Sequence, residues 1–277
     1  MPKFPFGQHR IIDDLKRALD EIEKTWPMTG SYERIDPYII PFLRGRERFE
    51  LIIYHIESKL WYDNYQTSFI MDTIADQALI TPGDVAFDLG SNAGSVTLLM
   101  AKHCGPDGHV HAFDPYPWNA VATHANARFN YLDNVTAHPV GLSNRSCKIN
   151  VRPNDSRSYE SSDDVNSQTL DIRAINDFMH LKPDFLKFDI EGAEYDVFDG
   201  QSPETFASVR TFVLEFHPMW LRPRGLDPKD ALRSMEAAGF TLHRRTLQQP
   251  VYVVDEYVDK DMLFWGKRRL PPEQPPA

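Results

Sequence analysis

The sequence has few cysteines and fewer basic than acidic residues. Its two cysteines, Cys104 and Cys147, are too few for a disulfide framework, and a zinc site needs more ligands at closer spacing. They are consistent with a reducing cytoplasm. The 30 Lys and Arg against 40 Asp and Glu give a formal net charge of −10. Because contacts to phosphates require clustered basic side chains, we expect no nucleic-acid partner.

Long apolar runs are also missing. None reaches the roughly 18 residues needed to span a bilayer, and the opening residues MPKFPF lack the apolar core of a signal peptide. We therefore expect a soluble, cytoplasmic protein with no membrane span. The dense basic runs at residues 44–48 and 267–269 are short. They fit a solvated surface, and the alternative is a site for an anionic acceptor.

A glycine-bearing turn follows a short apolar strand at residues 84–89 and leads into an apolar helix around residues 96–100. Its spacing is D-x-G-x-x-x-G, which differs from the G-x-G-x-x-G that lays a pyrophosphate on a helix N-terminus. Glycine lets a ligand approach the backbone, and the amides that open the helix can hold a carboxylate such as that of S-adenosylmethionine. The candidate cofactor-binding residues of this turn are Asp88, Gly90, Ser91, Asn92 and Gly94.

The second strand, residues 109–113, is followed by Asp114. An acid at this position can accept hydrogen bonds from both ribose hydroxyls of a nucleoside ligand. The alternative is a helix cap, since Pro115 and Pro117 suit the first turn of a following helix. We predict that Asp114 anchors the ribose, with Pro115 beside it in the cofactor site.

Two further predicted strands end in ionisable side chains that could take part in catalysis. The segment LKFDIEGAE, residues 186–194, ends a buried strand in three carboxylates around one glycine, and the strand at residues 211–217 ends in His217. Methyl transfer from a sulfonium is an in-line displacement that needs a base near the acceptor hydroxyl. His217, whose usual pKa is near neutrality, and Asp189 are the first candidates for this base, and Glu191 is the third.

Each of these residues also has a purely structural interpretation. A backbone carbonyl at the strand end can satisfy His217, and Glu194 can be a first-turn carboxylate favoured by the helix dipole. Four side chains could instead gather a divalent cation, namely Asp189, Glu191, Glu215 and His217. No spacing among them is a dedicated ligand motif, so we expect no metal, and a cation stays an open alternative.

Taken together, these segments resemble the FkbM-type methyltransferases, a family of class I S-adenosylmethionine-dependent O-methyltransferases. The resemblance covers roughly residues 60–220 and rests on DLGSNAG, AFDPYPWN, LKFDIEGAEYDVFDG and FVLEFHP, in that order. The first turn of the family more often reads DIGANIG. Ser91 and Ala93 differ from it here, but both are small and keep the turn open. The resemblance implies methyl transfer to a hydroxyl, typically on a sugar unit, a glycan or a glycosylated secondary metabolite.

The resemblance also implies an architecture. It is an α/β, Rossmann-like class I methyltransferase sheet, mostly parallel with an antiparallel last strand, with helices on both faces and an N-terminal helical extension. We assign residues 1–75 to the extension, residues 76–270 to the S-adenosylmethionine-binding domain and residues 271–277 to a disordered tail. In class I methyltransferases the turn after the third strand usually meets the adenine, which makes Ser143 and Asn144 cofactor candidates.

The extension offers contacts of two kinds. Residues 8–26 place their apolar side chains on one helical face, which either packs on the parent domain or forms a homodimer contact. Residues 49–62 are rich in aromatic and β-branched types, which favours a strand or hairpin, with helix as the alternative. The aromatic side chains that either stack on an acceptor sugar or pack in the core are Trp61, Tyr62 and Tyr65.

A long polar loop at residues 152–168 is a candidate lid over the acceptor. Two other classes of function stay open. A nicotinamide-dependent oxidoreductase is disfavoured by the missing third glycine at dinucleotide spacing. A non-catalytic cofactor-binding or scaffold protein would use the amphipathic N-terminal helix for its contacts.

Overall fold

The computed structural model describes residues 8–44, 47–64, 69–151, 168–244 and 262–268. The α-helices are α1 Gln8–Glu23, α2 Ile56–Asn64, α3 Phe69–Asp76, α4 Ser95–Cys104, α5 Pro117–Phe129, α6 Glu194–Phe198 and α7 Pro228–Ala237. The strands are β1 Arg34–Arg44, β2 Glu47–His55, β3 Val85–Leu89, β4 His109–Phe113, β5 Val135–His138, β6 Gly141–Ser143, β7 Cys147–Val151, β8 Gln168–Ala174, β9 Phe185–Phe188, β10 Thr211–Phe216, β11 Phe240–Arg244 and β12 Met262–Arg268.

A mostly parallel sheet forms the centre of the fold. Its strands lie in the order β11-β12-β10-β9-β3-β4-β5. Neighbours from β10 to β5 pair in parallel, and β12 is antiparallel to both β10 and β11. The carboxyl ends of β3, β4, β9 and β10 therefore meet at one edge of the sheet. The predicted α/β class with an antiparallel last strand is confirmed.

Helices cover both faces of this sheet. Along β10, Phe212 and Leu214 join an apolar cluster with residues of α6 and α7, whereas Val213 joins a cluster with residues of α3 and α4. Successive residues of a strand point to opposite faces, so the two clusters lie on opposite sides. A strand buried on both sides reads as a continuous apolar run, which is why β10 is so uniformly hydrophobic.

The strand predicted for residues 49–62 is confirmed as far as His55, and the helical alternative applies from Ile56 onward. β2 pairs with β1 as an antiparallel hairpin, and α2 begins at Ile56. Burial lowers the pKa of His55 to about 3, so its ring is neutral and Nδ1 accepts a hydrogen bond from the Ser58 amide at 2.9 Å. A buried histidine thus satisfies a first-turn amide as a Ser or Asp cap usually does.

The polar turn predicted at residues 141–144 is largely a strand. β6 pairs in parallel with β8, and together with β7 they form a separate sheet in the order β6-β8-β7. Gly141 lies so close to β8 that a Cβ at this position would be 2.7 Å from Cδ1 of Ile172. Gly, Ser and Asn favour turns locally, so their presence obscured a pairing that only the tertiary structure makes.

The N-terminal extension packs on α5. Leu15 and Leu19 of α1 are buried in an apolar cluster with side chains of α5. Asn126 of α5 accepts a hydrogen bond from the Ile52 amide at 2.7 Å and donates one to the Ala93 carbonyl at 2.7 Å. One side chain thereby ties the hairpin to the turn after β3. The apolar face of α1 is covered by its own chain.

Several predictions fall on parts of the chain that lie outside the described residues. They are Tyr65 as an acceptor contact, the tail at 271–277, and the lid at 152–168 apart from Gln168. Among the described residues, no helix combines the length and the apolar character needed to cross a membrane.

Candidate active site

A large cavity opens at the carboxyl ends of β3, β4, β9 and β10. Its volume is about 820 Å³, which lies within the range of small-molecule sites. Ligands of open α/β sheets bind at this edge of the strands. The predicted site residues that line the cavity are Gly90, Ser91, Asn92, Asp114, Pro115, Asp189, Glu191 and His217. The fold therefore brings together residues that are more than 120 positions apart in sequence.

The turn after β3 brings the backbone to the cavity wall. Gly90 has φ +82°, a conformation that residues with a side chain rarely adopt. A Cβ on Gly90 would lie 1.8 Å from the carbonyl oxygen of Asp189, so only glycine permits β3 and β9 to end this close together. The Gly90 and Ser91 amides donate to the Phe113 carbonyl at 2.9 and 3.1 Å, which fixes the turn on β4 as well.

Beneath this turn lies a buried ion pair that the sequence analysis missed. Asp88 and Lys187 are almost completely buried, and Nζ of Lys187 lies 2.9 Å from Oδ1 of Asp88. The same Nζ donates a hydrogen bond to the Gly90 carbonyl at 2.6 Å, and Thr97 donates to Oδ2 of Asp88 at 2.5 Å. Burial opposes a charged lysine, but Asp88 and Asp189 outweigh it and raise the pKa of Lys187. The feature of the sequence that could have indicated this ion pair is Lys187 itself, a single charged residue among the apolar residues of β9.

Asp114 lies at the end of β4 with its carboxylate buried in the cavity wall. One oxygen accepts hydrogen bonds from the Tyr116 amide and the Asn119 side chain, both at 3.0 Å, and the other accepts from the Asn92 amide at 2.9 Å. Burial raises the pKa of Asp114 to about 6, although these three donors oppose the change. The residue is therefore a pre-oriented acceptor whose charge depends on pH near neutrality.

Four of the predicted cofactor residues do not line the cavity, namely Asp88, Gly94, Ser143 and Asn144. Asp88 is held by its ion pair, and a Cβ on Gly94 would lie 3.1 Å from Thr123 of α5. Asn144 donates hydrogen bonds to the Asp196 and Asp199 carbonyls, so it joins β6 to α6. The wall beside Asp114 is instead formed by Gly141, Leu142, Leu170 and Ile172.

The other end of the cavity gathers carboxylates around His217. Nε2 of His217 lies 3.9 Å from a carboxylate oxygen of Asp189, of Glu191 and of Glu215. On the other side of the ring, Nδ1 lies 3.3 Å from Oε1 of Glu194, which is fully buried. Glu194 is in the first turn of α6, and its main contact is with His217 and the Ile190 amide. Glu194 thus orients the imidazole.

These charges alter the protonation of the cluster. Burial disfavours a charged imidazole, but the hydrogen bond and charge of Glu194, with the charges of Asp189 and Glu191, raise the pKa of His217 to about 10. His217 therefore carries a proton at neutral pH in the ligand-free protein. Burial and the charge of Asp189 raise the pKa of Glu215 to about 7, although the positive charge of His217 acts to lower it.

Aromatic side chains from the N-terminal extension complete the cavity wall. Tyr62 is held by a hydrogen bond from Ser95 at 3.4 Å and an edge contact with Phe42, whose ring centre is 6.2 Å away. Trp61 lines the cavity and yet is 53% exposed. The two predicted roles for these residues were packing in the core and stacking on an acceptor sugar. Tyr62 packs against its neighbours, whereas Trp61 lies at the open mouth of the cavity, where an acceptor could reach it.

Comparison of the sequence with known proteins finds methyltransferases. The model of the methyltransferase FkbM domain family matches residues 88–242. A protein named Methyltransferase 1 from Beauveria bassiana (strain ARSEF 2860) is 23% identical over 186 residues, which cover 57% of this chain and 74% of that protein. An arsenite methyltransferase from Halobacterium salinarum (strain ATCC 700922 / JCM 11081 / NRC-1) is 30% identical over 95 residues, covering 30% of this chain and 24% of that protein.

The solved structure of a methyltransferase FkbM from Methylobacillus flagellatus KT superposes with a TM-score of 0.48 and 14% identity. The superposition covers 76% of this chain and 51% of that chain, so this protein spans about half the length of that structure. The matched family region includes the turn after β3, Asp114, the carboxylates that follow β9, and His217. This match, which extends over more than half of the chain, shows that the protein belongs to the FkbM methyltransferase family.

Proposed function

We propose that this protein is an S-adenosylmethionine-dependent O-methyltransferase that acts on a hydroxyl of a sugar, a glycan or a glycosylated secondary metabolite. The observation that carries the proposal is that one cavity joins Asp114 to the cluster of Asp189, Glu191 and His217. A nucleoside anchor and proton-transfer groups thus share a space of suitable volume. Membership of a methyltransferase family supports methyl transfer over hydride transfer.

The residues of the cavity fit this cofactor. The missing Cβ of Gly90 leaves the backbone open to close approach, and the ionised carboxylate of Asp114 is an acceptor for ribose hydroxyls. Leu142 and Ile172 offer an apolar surface to a nucleobase. Carboxylates such as Asp189 attract a sulfonium cation. We assign the contacts to Gly90, Ser91, Asn92, Asp114, Pro115 and Asp189, and a supporting role to Asp88, Gly94, Ser143 and Asn144.

S-adenosylmethionine, when bound, supplies an electrophilic methyl group for in-line displacement. The protein must hold the acceptor hydroxyl in line and take up its proton. Because His217 is already protonated at neutral pH, the proton goes to a carboxylate of the cluster, Asp189 or Glu191. His217, fixed by Glu194, holds its positive charge 3.9 Å from both carboxylates and thereby favours their orientation toward the ring. Of the three bases predicted from the sequence, His217 thereby takes an orienting role.

The acceptor is assigned to the mouth of the cavity near Trp61. Its half-exposed indole can stack on the apolar face of a sugar ring, while the hydroxyl reaches the carboxylate cluster. The lid assigned to residues 152–168 stays a prediction. So do the cytoplasmic location and the absence of a nucleic-acid partner, which rest on cysteine content and net charge. A homodimer through the N-terminal helix also stays a prediction, and it would have to use a part of α1 other than the apolar face that packs on α5.

The test is the release of S-adenosylhomocysteine in the presence of simple sugars, glycosides and glycosylated aromatic compounds. We expect turnover with at least one of them, and a fall in kcat of about a hundredfold in Asp189→Asn. Asp184→Asn is the matched control, because Asp184 binds the Val85 amide at 3.0 Å at the opposite end of the sheet. Cofactor binding without turnover of any acceptor would favour the scaffold alternative.

A further inference from the structure

Three side chains at the acceptor end of the cavity have the geometry of a metal site. Asp189, Glu191 and His217 each offer one ligand atom, and these atoms all lie within 4.8 Å of one another. Bonds of about 2.0–2.2 Å from a divalent cation to O and N ligands place neighbouring ligand atoms roughly 3 Å apart and opposite ones roughly 4.3 Å apart. Small rotations of the Asp189 and Glu191 side chains would therefore bring all three ligand atoms to bonding distance from one ion.

The backbone supports this convergence. Asp189 directly follows β9, and His217 directly follows β10, which is its parallel neighbour in the sheet. Glu191 adopts φ +54° and is followed by Gly192 with φ +96°, so the chain turns sharply and brings a second carboxylate back to the strand ends. A Cβ on Gly192 would lie 2.6 Å from Cβ of Trp220, which fixes this turn against the wall.

An independent observation comes from the orientation of the histidine. His217 is 94% buried, its residue exposure being only 6%. Its Nδ1 is bonded to the buried Glu194, so the other nitrogen, Nε2, points at the carboxylates from 3.9 Å, beyond hydrogen-bond range. Metal-binding histidines are typically arranged in this way, with the distal nitrogen held by a carboxylate and the other directed at the ion.

We propose that Asp189, Glu191 and His217 bind one divalent cation of the manganese or zinc class. The ligand set combines two carboxylates, which suit manganese, with one imidazole, which suits zinc, whereas calcium is typically bound by oxygen ligands. The cation takes the place of the proton on Nε2 and balances the carboxylates. Three protein ligands leave coordination positions open on the cavity side, where the hydroxyl of an acceptor can bind. The ion lowers the pKa of that hydroxyl, and the proton passes to Glu215, which lines the cavity outside the ligand set, instead of to Asp189 or Glu191. Only this last role rests on the proposed function.

The test is binding of Mn²⁺ to the whole 277-residue chain after removal of metals with a chelator. Binding is measured as the loss of the free-ion signal in electron paramagnetic resonance. We expect one Mn²⁺ per chain, competed by Zn²⁺, with at least about tenfold weaker binding in Glu191→Gln. Glu191 is 36% exposed in its side chain, so this variant leaves the core intact. Asp230→Asn, whose carboxylate is on α7 and bonded to Arg233, is the control.

A second variant tests the orientation of the ring. Glu194→Gln keeps the size of the side chain but weakens its hold on Nδ1, and we expect it to lower Mn²⁺ affinity by about tenfold or more. Titration with S-adenosylhomocysteine is run separately, so a failure of the proposed function is distinguished from a failure of the metal site. Absence of Mn²⁺ and Zn²⁺ binding in the wild type, or equal binding in Glu191→Gln, would overturn the proposal.

Discussion

At the scale of single residues, the site is organised by buried charges that each have a defined partner. Lys187 is the clearest example, because its Nζ contacts the Asp88 carboxylate and the Gly90 carbonyl beneath the turn between β3 and α4. Removing one member of a buried ion pair leaves the other charge unbalanced in a medium that solvates it poorly. The pair therefore links the stability of the sheet to the shape of the cavity.

We predict that Lys187→Met lowers the free energy of unfolding by about 3–5 kcal/mol, because it leaves Asp88 buried without a counter-charge. The double variant Asp88→Asn with Lys187→Met should recover a large part of that loss. Urea unfolding of the wild type, both single variants and the double variant measures the coupling. A loss below about 1 kcal/mol in Lys187→Met would show that the ion pair does not stabilise the fold.

Asp114 gives a prediction about pH. Since burial raises its pKa to about 6, the carboxyl is protonated below that pH and loses an acceptor for the ribose hydroxyls. We expect the affinity for S-adenosylmethionine to rise by up to about tenfold between about pH 5 and about pH 7.5, because the ionised fraction of a group with this pKa changes by about that factor over the range. Calorimetry across this range measures the dissociation constant.

The matched variant for this pH dependence is Asp114→Asn, which keeps one oxygen acceptor but cannot ionise. It should bind S-adenosylmethionine more weakly at neutral pH and show a flat profile near pH 6, where the wild type changes. Asp184→Asn should keep the wild-type profile, because that carboxylate lies at the amino end of β3. An unchanged pH dependence in Asp114→Asn would contradict the assignment of the ribose anchor.

At the scale of elements, the turn between β3 and α4 determines how closely the backbone approaches the cavity. Gly90 and Gly200 both have positive φ, +82° and +68°, but only Gly90 has backbone atoms within 3 Å of its missing Cβ. For Ala, the left-handed conformation alone costs about 1–2 kcal/mol. Comparison of alanine variants at these two glycines therefore separates the free-energy cost of the left-handed conformation from that of steric overlap.

We predict that Gly200→Ala lowers the free energy of unfolding by about 1–2 kcal/mol and leaves binding of S-adenosylhomocysteine unchanged. Gly90→Ala should be more destabilising and should lose measurable binding, because β3 and β9 must move apart to admit a Cβ that would otherwise lie 1.8 Å from the Asp189 carbonyl. Thermal unfolding and calorimetry measure both effects. Equal stability of the two variants would contradict the proposed close approach.

The elements also show how far sequence reasoning extends. The ends of β3, β4, β9 and β10 were predictable because apolar runs that stop at Gly90, Asp114, Asp189 and His217 carry both the strand pattern and the chemistry. The end of β2 was not, because the cap that starts α2 is a histidine. Nor was β6, whose residues pair with residues of β8 that lie 31 positions further along the chain. Such contacts depend on tertiary structure, not on local propensity.

At the scale of the whole molecule, the N-terminal extension and the sheet domain build one cavity. The extension is held on α5 by the buried side chains of α1 and by Asn126 and Asn130, which bond to the backbone of β2 at 2.7–2.8 Å. It contributes Trp61 and Tyr62 to the cavity wall, whereas the residues to which we assign the cofactor come from the sheet domain. We propose that the extension covers the acceptor site.

This division gives a prediction about kinetics. Trp61→Ala should raise the KM for the acceptor about two- to tenfold, the effect of losing one aromatic contact, and should leave the dissociation constant of S-adenosylmethionine unchanged. Leu60→Ala is the matched control, because Leu60 is 55% exposed, as Trp61 is 53%, and does not line the cavity. An equal effect of both variants, or weaker cofactor binding in Trp61→Ala, would contradict the proposed role of the extension.

The central claim is that the cavity binds S-adenosylmethionine. Calorimetric titration of the wild-type protein with S-adenosylhomocysteine, with NAD as the control ligand, tests it most directly. The account predicts one site per chain with a dissociation constant in the micromolar range, about −8 kcal/mol, and no binding of NAD. Absence of S-adenosylhomocysteine binding, or a preference for NAD, would contradict it.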